Sequence, residues 1–389
     1  MTKVLARLIG RMPVGWLQLV HNKGRLAAAV AGVAFAIVLV LVQLGISGSM
    51  NRTIQAGYQL YDADIMISAE DANTITEGGN VARQWLLHAL AVDGVASGTG
   101  LFLATIEWSE LDGDTTLLAS GIDIQRLDYL APAIEAAAGP IRLPDVALLD
   151  SQSRGQDPER LAGISPQSPL RIELGGRRVM IADTFEGTTS FSADGNLVIS
   201  DQTFLRLFPQ RVSGAPDHIL LKTDPGVSPI AVVERLRLAL PDYLRIRTLE
   251  QAAAGDQNYQ NTERPTGLIF GFGVVMGILV GLVIVYQILA TDVADHMGEY
   301  ATFKAMGYGS GFFFGVVFEE AVVLAILGFI PGVIISWGLY TLLEAMTALP
   351  MILEPNTAIM VFLGTLFACT ISGAFATRKL NAADPADLF

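Results

Sequence analysis

Residues 267–308 of the chain read GLIFGFGVVMGILVGLVIVYQILATDVADHMGEYATFKAMGY, and this stretch decides the fold class. Its first part, residues 267–290, carries no charged side chain and is long enough to cross a bilayer core of about 30 Å as a helix. Its second part, residues 292–307, turns polar but keeps a helical pattern. We therefore predict a membrane-spanning helix that leads directly into a short amphipathic helix at the membrane surface.

The predicted surface helix has two different faces. Asp292, Asp295 and Glu299 recur at helical spacing and form an acidic face. A second face consists of small residues, namely Ala294, Gly298, Ala301 and Ala305. An acidic face is usually only a solvated one, but a small-residue face can seat closely in a groove of another protein. We therefore interpret this helix as a contact site for a partner.

Glycines recur at four-residue spacing within the predicted spanning helix. The positions are Gly267, Gly271, Gly273, Gly277 and Gly281. Such small-xxx-small spacing lets two helix backbones approach closely in lipid, although glycine is also common in membrane helices generally. The pattern predicts a helix-packing face. Its partner is either a helix of the same chain or one of a second copy.

Composition supports a chain that is partly membrane-embedded. Of 389 residues, 51% are hydrophobic and only 16% are charged, against roughly 25% in soluble domains. The net charge of −13 argues against a nucleic-acid partner, which requires a basic surface. The single cysteine, Cys369, excludes an intramolecular disulfide and a CxxC site, and it lies within an apolar segment.

Three further apolar segments are long enough to span a bilayer: residues 26–46, 312–343 and 357–376. The first could instead be a signal peptide, but its apolar run exceeds the usual 7–15 residues of such a peptide, so we expect a retained helix. Two glycines of the 312–343 segment, Gly328 and Gly332, again stand four apart and extend the predicted helix-packing set.

The distribution of basic residues predicts the topology. Residues 1–25 are basic, contain no acidic side chain, and are expected to form a cytoplasmic amphipathic lead-in. Residues 47–265 would then form a large periplasmic domain, residues 344–355 a short periplasmic loop, and residues 377–389 a cytoplasmic tail. We therefore predict a multi-pass inner-membrane protein with both termini in the cytoplasm.

The segment 47–265 shows the mixed signals of an α+β domain. Residues 81–92 and 229–240 have the spacing of helices. Short strands are expected beside Gly or Asp turns at 101–108, 117–121, 170–174, 179–185, 197–200 and 218–222. The fold class predicted for the whole chain is an α-helical membrane protein with four transmembrane helices and a large α+β extracytoplasmic domain between helices 1 and 2.

The sequence contains no signature of a catalytic or metal site. Neither GxxxxGK[ST], HExxH nor GxSxG occurs. His88 and His218 are the histidines of the predicted outer domain, and we interpret both as surface or satisfied core residues. We therefore predict no catalytic, cofactor-binding or metal-binding residues in this chain.

Two acidic residues, Glu319 and Glu320, stand near the start of the third predicted span. Carboxylates within a span are costly and usually functional, which allows a proton or ion relay. They also lie within about two turns of the predicted inner surface, where they could reach water or a basic residue. We favour a structural or coupling role at the inner face.

Several stretches resemble the permease family that includes the FtsX and MacB proteins, and within it the DevC-type permeases. They are PVGWLQLVHNKGRL at 13–26, FSADGNLVISDQTFLRLF at 191–208, VYQILATDVADHMGEYATFKAMGY at 285–308, LGFIPG at 327–332 and DPADLF at 384–389. One departure is Phe303, where the family pattern leads us to expect leucine. The resemblance is spread over the entire chain and implies a MacB-like fold.

The resemblance also implies partners and a coupling site. Family members pair as dimers and engage an ATP-binding-cassette (ABC) ATPase through a cytoplasmic coupling helix. Here that helix would carry Asp292, Asp295, Glu299, Tyr300, Ala301, Lys304, Met306 and Gly307. ATP-Mg would be bound by the partner ATPase, a DevA-like subunit, and not by this chain.

For a DevC-type permease, the resemblance further implies a DevB-like membrane-fusion adaptor, a TolC-like outer-membrane channel, and export of a glycolipid or other hydrophobic envelope compound. Three alternatives stay open. They are an FtsX-like regulator that relays ATPase movement to an envelope hydrolase, a lipoprotein-releasing permease, and a membrane-anchored enzyme with its active site outside.

Overall fold

The computed structural model describes residues 14–110, 113–187, 193–347 and 349–382. The chain divides into two compact units. The described parts of 1–48, 265–346 and 351–389 form one, here called the helical unit. Residues 49–264 and 347–350 contain the other, here called the sheet unit.

The helical unit is built from six helices within the described residues. They are α1 (Val14–His21), α2 (Lys23–Tyr58) as far as Gly48, α9 (Pro265–Asp295), α10 (Met297–Ala305), α11 (Ser310–Thr347) as far as Met346, and α12 (Pro355–Ala382). Among these, α2, α9, α11 and α12 are long and apolar enough to cross a membrane. The helices extend beyond the predicted spans at both ends, because helical structure continues where the sequence turns polar.

Short-range contacts between helices hold this unit together. The Tyr340 hydroxyl of α11 donates to the backbone carbonyl of Leu41 in α2. The Ser372 hydroxyl of α12 donates to the carbonyl of Leu282 in α9 over 3.1 Å. Each bond satisfies a polar group that would otherwise be unpaired among apolar side chains. Pro331 lies inside α11, whose helical assignment continues on both sides of it.

The sheet unit contains nine strands in one sheet within the described residues. They are β1 (Ile65–Ala69), β2 (Val95–Glu110), β3 (Gly113–Ile122), β4 (Val146–Asp150), β5 (Leu170–Leu174), β6 (Arg177–Phe185), β7 (Gly195–Ser200), β8 (His218–Thr223) and β9 (Leu244–Thr248). The strand order is β5-β6-β4-β7-β3-β2-β8-β1-β9. The pairs β3–β7 and β4–β6 are parallel, and the remaining pairs are antiparallel.

Helices cover this sheet and complete its core. They are α3 (Gln84–Leu90), α4 (Pro132–Ala137), α5 (Pro158–Ala162), α6 (Asp201–Leu207), α7 (Pro229–Ala239) and α8 (Leu249–Thr262). The last begins with a capping box, in which the Thr248 hydroxyl accepts from the Gln251 amide and the Gln251 side chain accepts from the Thr248 amide. The predicted α+β character of this segment is confirmed.

His218 is a buried, fully hydrogen-bonded core residue of the sheet unit. Its Nδ1 lies 2.9 Å from the Ser68 hydroxyl, and its Nε2 lies 2.8 Å from the carbonyl of Ile75. Nε2–H therefore donates to Ile75, and Ser68 donates to Nδ1. Burial lowers the pKa of His218 below its ordinary value, because the charged ring would lose its hydration.

We expect this histidine to make the sheet unit sensitive to acid. A folded-state pKa below the unfolded value means that the unfolded chain binds the proton first. The contribution of the neutral His218 ring to the free energy of unfolding is therefore fully present above about pH 6.5, and it falls as the pH drops below that value. His218→Gln should flatten this part of the stability profile, measured by thermal unfolding of the full chain between pH 5 and 7.5.

The exposed His88 provides the matched control for that measurement. Because the His88 side chain is exposed, His88→Gln should leave the slope of stability against pH unchanged. Equal slopes for wild type and His218→Gln would contradict the role assigned to the buried ring.

Candidate functional site

The junction between α9 and α10 concentrates the polar side chains of the helical unit. Helix α9 ends at Asp295 and α10 begins at Met297, with His296 between them at φ −95° and ψ 14°. The predicted 292–307 helix is therefore not a single helix. Its first four residues continue the spanning helix, because the α9 hydrogen bonds extend past Ala290.

The three acidic residues of the predicted acidic face have different environments. Asp295 and Glu299 are exposed, as expected for a solvated face, whereas only 3% of Asp292 is accessible. The expectation of a shared acidic face is thus wrong for Asp292. The break at His296 comes after both Asp292 and Asp295, so it interrupts helical spacing only between them and Glu299.

Arg25, at the start of α2, neutralises this junction. Its Nη1 lies 3.7 Å from Oδ1 of Asp292 and also hydrogen-bonds Asp295. His296 Nδ1 lies 3.7 Å from Oδ2 of the same Asp292. A buried carboxylate requires such a positive partner, since leaving it unpaired costs several kcal/mol. The sequence indicated Arg25 only as one of several basic residues of the N-terminal segment.

Helix α1 is packed onto this junction and was expected only to lie along the membrane. Gln18 Nε2 donates to Oε2 of Glu299 over 3.0 Å, and the Tyr300 hydroxyl donates to Oε1 of Gln18 over 3.2 Å. Gly15 lies directly on α11, where an added Cβ would come within 2.7 Å of the Val316 carbonyl. No sequence pattern indicated that Gly15 or Gln18 belongs to the site.

Glu319 and Glu320 are buried beneath α1, with exposed fractions of 5% and 0%. The expectation that they reach water at the surface is therefore wrong. Oε1 of Glu319 accepts a 3.0 Å hydrogen bond from the backbone N–H of Trp16, in the first turn of α1. The Cγ of Glu320 lies against Gly15. Both side chains thus attach α11 to α1.

The outer side of α10 is open. Gly298, Thr302 and Ala305 are exposed, and no described atom lies within 4 Å of a Cβ added at Gly298. Met306, Gly307 and Tyr308 continue this surface beyond the helix. Lys304 is half-buried, Tyr300 is turned into the core, and the side chain of Ala301 lies outside the described ones. One side of α10 is therefore held by polar contacts with α1, through Glu299 and Tyr300, and the opposite side is uncovered.

The glycines of α9 pack against α2 of the same chain. A Cβ added at Gly273, Gly277 or Gly281 would meet Gln43, Val40 or Ala36, respectively, at 2.6–3.0 Å. Gly271 has no described neighbour within 4 Å, and Gly267 is buried. The partner that the sequence left open is, for three of these five glycines, the first spanning helix.

The glycines of α11 also face α2. An added Cβ at Gly328 would lie 2.5 Å from Val33 Cγ1, and one at Gly332 would lie 2.8 Å from Ile37 Cγ2. Helix α2 is therefore held between α9 and α11 by close backbone approach.

The sheet unit offers a serine and a histidine in contact, but not an accessible site. Ser68 and His218 are 0% and 2% exposed, and the other hydrogen-bond partner of the histidine is the backbone carbonyl of Ile75. His88 is exposed, and its Nδ1 lies 2.9 Å from the carbonyl of Gln84. Among the described residues, no group of three or more His, Cys, Asp or Glu side chains could hold a metal ion.

Residues 271–385 match the family model described as FtsX-like permease C-terminal. This range covers most of α9 and all of α10, α11 and α12. The C-terminal part of the chain is therefore similar to FtsX-like permeases, and with four apolar helices among the described residues the chain is a multi-pass membrane protein. No curated protein matches the sequence.

Solved structures with similarity to the chain include extracytoplasmic regions of transporters. The extracellular domain of the noncanonical ABC-type transporter YknZ from Gram-positive bacteria aligns at 9% identity and a TM-score of 0.32, covering 48% of this chain and 98% of that domain. The periplasmic region of MacB from Actinobacillus actinomycetemcomitans aligns at 15% identity and a TM-score of 0.34, covering 51% and 95%. A domain of a putative permease from Porphyromonas gingivalis aligns at 15% identity and a TM-score of 0.29. The alignment covers 48% of this chain and 86% of that domain.

Proposed function

We propose that this chain, whose C-terminal part is similar to FtsX-like permeases, is the membrane subunit of an ABC-type exporter whose ATPase is a separate protein. The observation that carries the proposal is α10, a short helix within the matched region that is fixed by polar contacts on one side and uncovered on the other. Such an element can receive a partner's movement and pass it on without unfolding.

Force applied to α10 has a direct physical route into the helical unit. Tyr300 and Glu299 connect α10 to α1 through Gln18, while Arg25 connects α2 to the end of α9. The close glycine contacts then make α2, α9 and α11 move as one packed body. ATP-driven closure of two ATPase subunits would in this way rock the spanning helices and change the conformation of the domain outside the membrane.

The further components follow from the resemblance to DevC-type permeases. We propose a homodimer in the inner membrane, with both termini and α10 in the cytoplasm and the sheet unit in the periplasm. A membrane-fusion adaptor and a TolC-like channel would complete the export path for a glycolipid or another hydrophobic envelope compound. ATP-Mg would be held by the ATPase partner.

The proposal is tested by reversing the charge of Glu299, which is exposed while it accepts from Gln18, and by adding bulk at Ala305 on the open side of α10. Glu299→Arg and Ala305→Arg should each weaken association with the ATPase at least about tenfold, equivalent to ~1.4 kcal/mol. The reason is that each places a long cationic side chain on a surface that has small or acidic residues. The measurement is the amount of ATPase recovered with the tagged chain in mild detergent.

Glu344→Arg is the matched control, since Glu344 is an exposed glutamate near the opposite end of α11. It should leave ATPase recovery unchanged. Normal recovery with both α10 variants would remove the coupling role. Mass spectrometry of the same sample separates export from regulation, because an adaptor indicates export and a cell-wall hydrolase indicates regulation. Catalytic turnover by the purified chain alone would instead indicate an enzyme.

A further inference from the structure

The nine-stranded sheet ends in two edge strands, β5 and β9, which have similar sequences but different charges. β5 reads LRIEL over 170–174, and β9 reads LRIRT over 244–248. Each strand carries charged side chains at its second and fourth positions, which lie on the same face of the strand. The two charges of β9 have the same sign, whereas β5 carries Arg171 and Glu173. An edge strand offers unpaired backbone groups to another strand unless the protein blocks them.

The edge of β9 is blocked by side chains of the same unit. Nη2 of Arg237 donates to the carbonyl of Ile246 over 2.9 Å. Oε1 of Gln251 accepts from the N–H of Thr248 over 3.2 Å. Backbone groups that are engaged in this way are not free for another strand.

The edge of β5 is open. Arg171 lies opposite Met180 of β6, but the N–H of Met180 donates to the carbonyl of Asp145, just before β4, over 2.9 Å. Arg171 and Met180 therefore form a non-hydrogen-bonded pair, and the backbone groups of Arg171 point away from β6. Those of Glu173 point the same way, because it is two residues further along the strand. Within the described part of the chain, these outward groups have no hydrogen-bond partner.

We propose that the β5 edge pairs with the β5 edge of a second copy of this chain, antiparallel and centred on Ile172. In this register, Arg171 of each copy lies opposite Glu173 of the other, so the exposed charges are complementary. The outward backbone groups of the same two residues then form hydrogen-bonded pairs. Ile172 and Leu174 remain on the buried side of the sheet in both copies. The contact is isologous, since both copies use the same surface.

The alternatives to this pairing lose its complementarity. A shift of two residues brings Arg171 opposite Arg171, or Glu173 opposite Glu173, and like charges directly opposite each other are destabilising. A shift of one residue places the apolar side chains of one copy on the exposed face of the other. Self-pairing of β9 would bring Arg245 opposite Arg247. The alternation of charge in β5 therefore selects a second β5 strand in one register.

The contact is short, and it rests on the proposed homodimer. Isolated two-stranded pairing is marginal in water, whereas two copies held in one membrane complex have a high effective concentration. Pro169, directly before β5, has no N–H and cannot extend the ladder. Pairing of the two edges would join the sheets of both copies into one, so that the two sheet units move together.

Hydrogen–deuterium exchange of the full chain in lipid nanodiscs tests the pairing. After correction for intrinsic rates, the amides of Arg171 and Glu173 should exchange at least about tenfold more slowly in the wild type than in Arg171→Glu. The reason is that the substitution places like charges opposite each other at both symmetry-related pairs. Glu173→Arg should have the same effect. The double variant Arg171→Glu/Glu173→Arg restores opposite charges and should restore slow exchange.

Arg142→Glu is the matched control, since it makes the same change of charge at an exposed position outside β5. It should leave exchange in β5 unchanged. Because Arg171 and Glu173 are also exposed, each variant should keep its melting temperature within about 2 °C of wild type. Equally fast exchange in the wild type and both single variants, or a double variant without protection, would overturn the proposal.

Disulfide formation identifies the partner strand. Two differently tagged copies, one with Arg171→Cys and the other with Glu173→Cys, should form a mixed disulfide when they are co-expressed. The Cα atoms of a hydrogen-bonded pair lie about 5.5 Å apart, within the range that a disulfide spans. Either variant alone should not cross-link, because identical positions are then diagonal neighbours about 7–8 Å apart. The native Cys369 is buried and provides the blank.

The same tags separate failure of this contact from failure of the homodimer. Co-purification of two wild-type copies that carry different tags tests the homodimer itself. Copies that co-purify but give no mixed disulfide would overturn the β5 contact and leave the homodimer intact. Copies that do not co-purify would overturn both. Cross-linking of Glu173→Cys alone would show a different register and would also contradict the proposal.

Discussion

Replacing Arg25 with glutamine should lower the free energy of unfolding of the helical unit by about 3 kcal/mol. The substitution removes the cation that contacts Asp292 and Asp295, and Asp292 then keeps a buried charge without its partner. This value is at the lower end of the stability loss expected when one partner of a buried ion pair is removed. The reason is that the Arg25 side chain is 27% exposed, so water can partly screen Asp292. Unfolding in mixed detergent–SDS micelles, followed by tryptophan fluorescence, measures the change.

Two variants make this prediction specific. Lys23→Gln removes a positive charge from an exposed position two residues away, so it should change stability by less than about 0.5 kcal/mol. The double variant Arg25→Gln/Asp292→Asn should recover most of the loss, because the unpaired buried charge is then absent. If Lys23→Gln and Arg25→Gln are equally destabilising, the effect is one of net charge and the buried pair is not its cause.

Gly328→Leu should destabilise the helical unit by about 1–3 kcal/mol and weaken the packing of α11 on α2. An added Cβ at this position would lie 2.5 Å from Cγ1 and 2.7 Å from Cβ of Val33, and 3.4 Å from the Ala34 amide. The Cβ of valine is not the end of a flexible side chain, so the helices must separate. The melting temperature of the full chain in detergent and its monodispersity on size exclusion are the measurements.

The same helix provides the control. A Cβ added at Gly338 meets no described atom within 4 Å, so Gly338→Leu adds the same side chain without a clash. It should be neutral or slightly stabilising, because leucine has a higher helix propensity than glycine by about 1 kcal/mol. A Gly328→Leu variant as stable as Gly338→Leu would show that the close approach of α2 and α11 does not limit stability.

The strands show where local sequence is informative and where it is not. The segments predicted at 101–108, 170–174 and 218–222 correspond to β2, β5 and β8. Three strands were not predicted, namely Ile65–Ala69, Val146–Asp150 and Leu244–Thr248. β4 is buried at every position and β1 at four of its five, so neither shows an alternation to recognise. β9 does alternate between buried and half-buried positions and was missed all the same. They form strands because neighbouring strands complete their backbone hydrogen bonds: β4 pairs with β6 and β7, β1 pairs with β8 and β9, and β9, at the sheet edge, pairs with β1.

The glycine pattern likewise indicated a packing face but not its partner. Spacing shows which residues share one side of a helix, which is a local property. Gly277 and Gly281 meet α2, while Gly271 meets no described atom, because Gly271 lies two residues before Gly273 and thus about 200° away around α9. That α2 packs on the side of α9 that carries Gly273, Gly277 and Gly281 is determined only by the packed arrangement of the helices.

The sequence by itself determined the spanning helices, the mixed α/β character of residues 47–265 and the polar segment after Ala290, because length, hydropathy and periodicity are properties of neighbouring residues. The tertiary structure alone decided which acids are buried. Asp292 and Asp295 look equivalent in the sequence, yet Arg25 and α1, both more than 260 residues away along the chain, cover one and leave the other in water. The burial of a side chain depends on which other elements pack against it, and contacts between distant parts of the chain determine that packing.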